Sequence, residues 1–515
     1  MIPTAKRTAA QLWTIAWSKP SLALAGNIGQ KAVTLITNIV LARLLGAEGY
    51  GAVALGLTFF LVVQAFATLG LTEGMVRFGA ATLAKGDHQN FSRIFTSSNI
   101  FALASNCIVC IVIILLAEPI ANFFDAGEGF AELLQILMLA VPFFTIIMMM
   151  ASYRQAHQMI LGQQAILLAR VSLTLILCLT FVFIPAEPVQ YAWVVLIAHM
   201  GLAAGLMMPS LKRIRHFPRL LARDEAKQLL SFSLVILSTH ASWLIWSNLD
   251  RVMLARLGTL SDVGVYSVVS ALAINIQLGV VAMGGLVMPV CAAAHTRGDR
   301  AQVIDAYGWY SLIGVFAAGL LGVSLLLEAP GILGLFGPEF SNYGWALSLL
   351  VVGQFLSAFP GPLGKLLIVI GHQNSVMIGS IAQVALNIVL NLLLIPEYGV
   401  NGAAAATLVA LALPRLVYSL YIHRRLGFWT PDRYAFLAAL VIGLAAIAAD
   451  QLGALMPLRV LGINISDYIW LSVLAGPPAA LLILHRRRKR IPEATEHSFP
   501  GTTDSVAHPP ESRPE

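Results

Sequence analysis

The sequence predicts an all-α polytopic membrane protein, with about fourteen transmembrane helices forming two parallel six-helix lobes around a central cavity, plus a C-terminal helix pair. Of its 515 residues, 58% are hydrophobic and 11% are charged, whereas soluble domains carry about 25% charged residues. The chain also contains many apolar runs close to the ~20 residues that a helix needs to cross ~30 Å of hydrocarbon. Short motifs recur in the same order in its two halves. Together these features indicate a duplicated bundle of membrane helices.

The predicted helices follow the apolar runs in chain order. In the first lobe they cover 22–44, 50–71, 94–117, 131–152, 165–185 and 189–211. In the second lobe they cover 229–250, 264–290, 307–327, 343–361, 375–395 and 402–422. A final pair covers 435–452 and 467–484.

The distribution of Lys and Arg fixes the predicted orientation. If the N-terminus is cytoplasmic, most of the 32 basic residues fall in cytoplasmic segments, as the positive-inside rule requires. The outside segments and helix ends then hold only Arg43, Arg251, Arg256 and Arg459. We therefore expect both termini on the cytoplasmic side of the membrane.

These assignments divide the chain into six predicted segments. They are a cytoplasmic N-terminal segment (1–21), a six-helix lobe (22–211), a basic cytoplasmic linker (212–228), a second six-helix lobe (229–425), an extra helix pair (426–485) and a basic, disordered cytoplasmic tail (486–515). The tail is rich in Pro, Ser, Thr and Glu, a composition typical of disorder.

An internal repeat relates the two predicted lobes. The matching pairs are Ile39–Leu44 with Val252–Leu257, Lys85–Asp87 with Arg297–Asp299, and Pro119–Phe124 with Pro330–Phe336. Because the seventh span lies six crossings after the first, the two have the same orientation. The halves are then parallel repeats about an axis along the membrane normal. Two such lobes enclose a central cavity, which rocking would expose to each side in turn.

Four stretches carry a resemblance to a known family. They are Leu41–Gly51; Asn248–Leu254 with Val263–Tyr266; Arg297–Asp299; and Gly371–Asn374 with Asn387–Ala404. These motifs resemble the multidrug/oligosaccharidyl-lipid/polysaccharide exporter superfamily, and within it the polysaccharide transporter branch of Wzx-type O-antigen and exopolysaccharide flippases. The resemblance covers roughly residues 20–485. It implies transport of lipid-linked sugars, without indicating which sugar.

The first span carries a polar face. Asn27, Lys31, Thr34 and Asn38 fall at i, i+4, i+7 and i+11, a spacing that places them on one side of a helix. Lys31 lies about nine residues into the span, or ~13 Å deep, which is too deep for easy snorkelling. We expect this face to line the cavity and Lys31 to contact a phosphate group. The alternative is a structural ion pair or hydrogen bond with a neighbouring helix.

The seventh span ends in a second polar group. It contains Asn248, Asp250 and Arg251, with His240 about three turns earlier on the same face as Ser247 and Arg251. The repeat makes this helix the partner of the first span, so both should flank the cavity. The resemblance implies that Asp250 and Arg251 bind a pyrophosphate–sugar head or form a gate; capping of the outer helix end is the alternative. His240 titrates near neutral pH and is a candidate for proton coupling, against the alternative of a hydrogen-bonded structural histidine.

Other polar residues lie within predicted spans. Gln277 in the eighth span and Arg415, which follows Pro414 in the twelfth, are further candidates for the cavity lining. Arg170 lies near the cytoplasmic end of its predicted span and is expected to snorkel.

Enzymatic chemistry has no support in the sequence. Cys107, Cys110, Cys178 and Cys291 all lie in apolar runs, which argues against a disulfide framework or a zinc site. No Walker A motif is present, so ATP hydrolysis by this chain is not expected. We also find no nucleophile elbow and no paired-carboxylate site, and we expect no catalytic residue, cofactor or metal.

The family resemblance implies a flippase of the bacterial inner (plasma) membrane for undecaprenyl-pyrophosphate-linked glycan units, moved to the periplasmic leaflet for O-antigen or exopolysaccharide biosynthesis by alternating access. Its expected partners are that glycolipid, membrane lipid and glycan polymerase or assembly proteins, with no nucleic acid. One alternative is a proton- or sodium-coupled multidrug (MATE-like) exporter, which would need buried acids in the first lobe. Another is a non-transporting scaffold. Lys31, the deep charge of the first span, favours an anionic cargo.

Overall fold

The structure is a computed structural model that describes residues 19–183, 185–211, 220–431 and 433–455, with short stretches at 459–460, 463–464, 466–468, 471–472 and 474–475. Apart from a small antiparallel ladder, β1 (Arg459–Val460) with β2 (Ile463–Asn464), every regular element described is helical. The predicted all-α class is confirmed. Residues 1–18, the linker core 212–219, most of the predicted span 467–484 and the tail 486–515 lie outside the described residues.

Sixteen α-helices are described, with bounds as follows. The first eight are α1 (Lys19–Ala67), α2 (Leu71–Ala84), α3 (His88–Leu115), α4 (Ala117–Phe123), α5 (Phe130–Ala156), α6 (Ile160–Cys178), α7 (Pro188–Leu211) and α8 (Arg223–Leu257). The others are α9 (Leu260–Ala273), α10 (Leu278–Thr296), α11 (Arg300–Leu327), α12 (Ala329–Gly334), α13 (Gly344–Ala358), α14 (Leu363–Val369), α15 (Gln373–Leu426) and α16 (Arg433–Leu455).

Ten stretches of the described chain are long and apolar enough to cross a membrane. Two of them, Ala25–Ala67 and Gln373–Arg425, contain 43 and 53 residues, or ~65 and ~80 Å of helix at 1.5 Å per residue. Each is long enough for two crossings of ~30 Å. The multi-pass character is therefore shown, while the number fourteen stays a prediction.

The predicted first and second spans meet at a kink at Gly46, with no loop between them. Helix α1 continues from Lys19 to Ala67 and bends at Gly46, whose φ is 68°. Helix α15 similarly joins the predicted eleventh and twelfth spans and bends at Gly399, with φ 52°. The backbone at Gly46 and at Gly399 is not helical, so each of these long elements consists of two helices that meet at a glycine.

The described chain forms two compact units. The first comprises the described residues up to Val268 together with Leu333–Phe340 and Ile395–Ala403. The second comprises Val269–Ile332, Ser341–Leu394 and the described residues from Ala404 onward. This division reflects packing and groups α8 with the first unit. The lobe boundaries at 22–211 and 229–425, which come from the sequence repeat, stay a prediction.

Two turns repeat the same local geometry in the two halves of the sequence. Gly86 and Gly298 have φ of 73° and 72°, values that favour glycine. The residues that follow, Asp87 and Asp299, each cap a helix by accepting a hydrogen bond of 2.9 Å from the backbone N–H three residues on. The Lys85–Asp87 and Arg297–Asp299 motifs are thus equivalent in structure as well as in sequence.

Helices α1 and α9 cross closely within the first unit, through residues that are equivalent in the repeat. A side chain at Gly51 of α1 would overlap the carbonyl group of Leu260, and one at Gly264 of α9 would overlap the carbonyl of Ala47. Gly51 is equivalent to Gly264 in the repeat, and Ala47 to Leu260. The reciprocal contact is therefore the arrangement expected at a pseudo-two-fold axis.

Two short helices follow the third and ninth predicted spans, and repeat-equivalent arginines lie beside their ends. Arg43 donates hydrogen bonds from Nε to the Leu335 carbonyl, at 2.6 Å, and from Nη2 to the Gly334 carbonyl, at 3.2 Å, at the end of α12. The Arg256 guanidinium lies 5.4 Å from the ring centroid of Phe123, the last residue of α4.

The core of the second unit gathers around Tyr307 of α11. Its hydroxyl donates to the Pro360 carbonyl at 2.6 Å, and its ring packs with Leu363 and Leu367 of α14 and Tyr418 of α15. Helix α11 also packs against α10 and α16. These apolar contacts fix the positions of the helices around the 3₁₀ turn that contains Gln277 and of α15, which contains Arg415.

Candidate functional site

A buried polar centre lies near the C-terminal end of α8. Arg251 donates a hydrogen bond from Nη1 to the Asn248 side-chain oxygen at 2.6 Å. The Asn248 amide nitrogen donates to the Leu244 carbonyl at 2.9 Å, which fixes the orientation of the amide. The Thr58 hydroxyl of α1 lies 3.5 Å from the same Asn248 oxygen. Asn248 is 4% exposed. Arg251 is therefore hydrogen-bonded to a buried, uncharged side chain.

Asp250 has a separate partner. Its carboxylate accepts a hydrogen bond of 2.5 Å from the Tyr266 hydroxyl of α9, and it is 8% exposed. Tyr50, which is buried on α1, lies near enough to Arg251 to interact electrostatically. Residues from α1, α8 and α9 thus surround the Asp250–Arg251 pair. The sequence motif predicted the pair but not Tyr50 and Tyr266, although both tyrosines are part of the matching stretches.

Arg170 belongs to a second buried group that sequence reasoning missed. It lies ten residues after the start of α6 at Ile160, or ~15 Å along the axis, so the expectation that it snorkels from a helix end is wrong. The expectation failed because the predicted span began at 165 instead of 160. The Arg170 guanidinium lies 5.2 Å from the Phe144 ring centroid, and its Nε is buried without a hydrogen-bond partner.

His199 of α7 lies on the same aromatic ring. It is 3% exposed, and its ring centroid is 5.6 Å from that of Phe144 and 6.1 Å from that of Phe60. Its Nδ1 is 2.6 Å from the Val195 carbonyl, while its Nε2 is buried without a partner. The sequence did contain a signal that could have identified His199, namely a histidine inside an apolar span. Ionisable groups in spans are rare and often functional.

The polar face predicted in the first span lies on the N-terminal arm of α1. Asn27, Lys31 and Thr34 are exposed, and Asn38 is half-buried. Apolar residues of the same arm are exposed too, with Ile28 at 57% and Ile36 at 48%. Exposure alone therefore does not distinguish a cavity-facing side from a lipid-facing one, and the cavity-lining role stays a prediction.

The arm is anchored to α6. Gln30 donates a hydrogen bond from its amide nitrogen to the Gln164 side-chain oxygen at 2.8 Å, and a side chain at Gly26 would overlap Gln164. The anchoring side of the arm thus lies beside the predicted polar face.

Gln277 and Arg415 both lie in the second unit. Gln277 ends a 3₁₀ turn, Ile274–Gln277, that interrupts the predicted eighth span. Its amide nitrogen donates to the backbone and side-chain oxygens of Gln354, at 3.0 and 3.1 Å. The Arg415 guanidinium is half-buried and lies 5.9 Å from the Tyr418 ring centroid. The structure therefore gives Gln277 a partner within its own unit and does not bring it into contact with Arg415.

The remaining predicted residue, His240, lies within α8, but its side chain is outside the described part of the structure. Among the described residues, no group of three or more His, Cys, Asp or Glu side chains is placed to hold a metal ion.

A family model described as "Polysaccharide biosynthesis protein" matches residues 17–295, which is more than half of the chain. The matched region includes α1, the α8–α9 junction and the whole buried centre around Asp250 and Arg251.

Two curated relatives match with moderate identity. The chain is 26% identical over 354 residues to the succinoglycan biosynthesis transport protein ExoT of Rhizobium meliloti, covering 66% of this chain and 65% of that protein. It is 29% identical over 174 residues to the probable flippase AglR of Haloferax volcanii, covering 33% of this chain and 36% of that protein.

Solved membrane transporters share the fold. A structure of the lipid II flippase MurJ in an inward closed conformation superposes with a TM-score of 0.66 at 13% identity, covering 90% of this chain and 98% of that one. An inward-facing multidrug resistance MATE transporter of the MOP superfamily superposes with a TM-score of 0.65 at 16% identity, covering 77% and 94%. At such identities the likeness concerns the fold alone. The fold is the one expected for the superfamily that the sequence motifs resemble.

Proposed function

This chain belongs to the family of polysaccharide biosynthesis proteins, and from that premise we propose that it is a flippase for lipid-linked glycans. Its substrate is an oligosaccharide on undecaprenyl pyrophosphate, which it moves from the cytoplasmic to the periplasmic leaflet for O-antigen or exopolysaccharide assembly. The proposal is supported by relatives named as a succinoglycan transport protein and a probable flippase.

The chemistry of the proposed substrate determines what kind of surface the protein must provide. A sugar–pyrophosphate head is too polar and too negatively charged to cross hydrocarbon unaided, while a polyprenyl tail is soluble in it. The protein therefore needs a polar, cationic interior surface, and it needs no catalytic group. Rocking of two helix lobes provides alternating access without bond chemistry.

The observation that carries the proposal is the arginine centre of α8. Arg251 is held on Asn248 among buried groups of the first unit, and Arg170 provides a second cation inside that unit. Charged groups in a membrane interior are costly and are usually associated with substrate pathways. In the proposed mechanism Arg251 contacts the pyrophosphate, and Asp250, through Tyr266, ties α8 to α9.

The other predicted residues have supporting roles in this proposal. The face formed by Asn27, Lys31, Thr34 and Asn38 guides the polar head along the first span. His240 couples the movement to protons, and Gln277 and Arg415 extend the polar lining in the second unit. Both termini are cytoplasmic, and glycan polymerase or assembly proteins receive the product.

The rival function is a proton- or sodium-coupled multidrug exporter. The likeness to a MATE transporter concerns the fold, and no observation of the described residues favours drug export specifically. The acid buried in the first unit beside Arg251, Asp250, is engaged by Tyr266. A cationic drug would also be repelled by the arginines that the flippase hypothesis requires.

The test is reconstitution with Arg251 variants. Purified protein in vesicles is supplied with a fluorescent undecaprenyl-pyrophosphate glycan, and transfer between leaflets is followed by quenching. We expect transfer by the native chain, partial transfer by Arg251→Lys and at least about tenfold slower transfer by Arg251→Gln. Arg297→Gln, which alters an exposed loop arginine, is the matched control. Native-like transfer by Arg251→Gln would remove Arg251 from the mechanism, and efflux of a cationic dye without glycan transfer would favour the rival.

A further inference from the structure

An apolar cavity of about 510 Å³ lies in the first unit beside the arginine centre. Its walls come from α1, from α8, and from α4 with the residues on either side of it. The lining residues are Thr58, Phe59, Val62, Leu116, Pro119, Ile120, Phe123, Phe124, Ile245, Asn248, Leu249 and Val252. Phe59 packs edge-on against Phe124 at 5.8 Å, which gives one wall a rigid aromatic surface.

The cavity offers its occupant hydrocarbon contacts. The polar side chains in its lining, Thr58 and Asn248, are already engaged, the first with the Ala54 carbonyl at 2.9 Å and the second with Leu244 and Arg251. The remaining walls are aliphatic or aromatic. Large lining residues are also well exposed, with Phe123 at 60% and both Leu116 and Ile245 at 45%. The cavity thus opens at the surface that the surrounding membrane covers.

Two opposite charges lie at its rim. Arg256 is one helical turn beyond Val252, and its guanidinium lies over the ring of the lining residue Phe123. Its Nη1 is 3.5 Å from the Asp125 carboxylate, and the two side chains are 52% and 83% exposed. An ion pair this exposed contributes little to stability, and both groups remain accessible to a ligand.

We propose that this cavity is a binding site for a zwitterionic aminophospholipid of the phosphatidylethanolamine type. One acyl chain occupies the apolar cavity, the phosphodiester accepts hydrogen bonds from Arg256, and the primary ammonium donates to Asp125. The arrangement of the head group matches the charges of the rim, because one cation and one anion complement one phosphate and one ammonium. A pyrophosphate carries more negative charge than this rim balances, which distinguishes the site from that of the proposed glycan carrier.

On the predicted topology, the rim lies at the outer end of α8, so the lipid comes from the outer leaflet. The inference does not depend on the proposed transport function, because it concerns a site for a structural or regulatory lipid and its test measures binding alone.

The test uses the full-length protein in detergent micelles with a phosphatidylethanolamine that carries a diazirine on its acyl chain. After photolysis, mass spectrometry locates the labelled peptides. We expect saturable labelling of peptides that contain Phe59, Ile120 and Leu249. Unlabelled phosphatidylethanolamine should compete about tenfold better than phosphatidylcholine, whose ammonium cannot donate, and than phosphatidylglycerol, which has no ammonium.

Rim variants separate the contribution of the head group from that of the chain. Arg256→Gln should lower labelling of the cavity by the phosphatidylethanolamine probe and weaken competition by all three phospholipids, and Asp125→Asn should abolish the preference for phosphatidylethanolamine. Because both side chains are exposed, these changes leave the fold intact. Arg297→Gln is the matched arginine control and should label like the native chain, whereas Leu249→Phe should block labelling by filling the cavity.

Three outcomes would overturn the proposal. Labelling that does not saturate would show ordinary contact with bulk lipid. Equal competition by the three phospholipids would show that the charged rim recognises nothing. Stronger competition by undecaprenyl phosphate than by phosphatidylethanolamine would assign the cavity to the glycan carrier.

Discussion

Asn248 is the residue that determines how the arginine of α8 is held. Its side-chain oxygen is the acceptor for Arg251, and its nitrogen is fixed on the Leu244 carbonyl. A hydrogen bond to a charged group contributes about 1.5–3 kcal/mol. We therefore expect Asn248→Ala to lower the thermal unfolding temperature of the purified protein, and Asn248→Asp, which keeps an acceptor, to retain most of it. Equal stability of Asn248→Ala and the native chain in a fluorescence-monitored melt would contradict this account.

The Tyr266–Asp250 hydrogen bond makes a separate prediction. Tyr266→Phe removes only the donor to a buried carboxylate, and we expect it to destabilise the fold by about 1.5–3 kcal/mol. If the two groups act through each other, Tyr266→Phe combined with Asp250→Asn should cost less than the sum of the single changes. Denaturant unfolding of the four proteins in one detergent measures the coupling free energy. Strict additivity of the two changes in unfolding free energy would show that this hydrogen bond does not contribute to stability.

Sequence reasoning identified individual residues unevenly. Asp250 and Arg251 were predicted because they adjoin a recognisable motif at a helix end. Arg170 was misinterpreted because its position within a helix depends on a boundary that was five residues off. His199 was missed because a single polar residue among apolar ones gives no periodic signal, and only packing reveals that it shares the Phe144 ring with Arg170.

At the level of helices, the two capped turns should contribute equally to stability. Asp87 and Asp299 accept hydrogen bonds of the same length at the same position of equivalent helices, and loss of an N-cap costs about 1 kcal/mol. We expect Asp87→Ala and Asp299→Ala to lower the unfolding temperature by similar amounts. Gln89→Ala, at an exposed first-turn position of α3, is the control and should change little. A large effect of one aspartate and none of the other would mean that the turns are not equivalent.

The α1–α9 crossing depends on two glycines. Alanine favours helix over glycine by about 1 kcal/mol, so Gly→Ala stabilises a helix where space permits. Gly205 of α7 has no atom near its missing side chain, whereas Gly51 and Gly264 face backbone carbonyls. We expect Gly205→Ala to be neutral or stabilising, and Gly51→Ala and Gly264→Ala to be clearly destabilising in thermal melts. Native-like stability of the last two would show that the helices do not cross this closely.

The repeat explains why these helical details could be anticipated only in part. The sequence predicted equivalent motifs, and the turns at Gly86 and Gly298 have the equivalent geometry that this implies. It did not predict that Gly51 meets Gly264, because a contact between helices depends on their approach in space. It separated the two arms of α1 at 44–50, which agrees with the non-helical backbone at Gly46, but it did not predict that a single glycine would replace a loop there.

At the level of the whole molecule, composition alone was sufficient to identify a membrane protein, since 11% charged residues cannot cover a soluble surface of this size. The family match and the likeness to MurJ and MATE structures agree with the class that the motifs predicted. The number of spans depends instead on how kinked helices and the segment after 455 are counted. Hydropathy averages over such features, so it defines the class better than the count.

Orientation in the membrane is the global property with the sharpest test. Lys85, Glu128 and Arg297 are exposed residues in connections between helices, and the positive-inside rule assigns the two basic ones to the cytoplasm and Glu128 to the outside. In intact spheroplasts, a membrane-impermeant maleimide should label Glu128→Cys but not Lys85→Cys or Arg297→Cys, and all three should react after permeabilisation. The native chain, with its cysteines Cys107, Cys110, Cys178 and Cys291 in membrane helices, gives the background. The reverse pattern would invert the topology and with it the direction in which the proposed flippase carries its glycan.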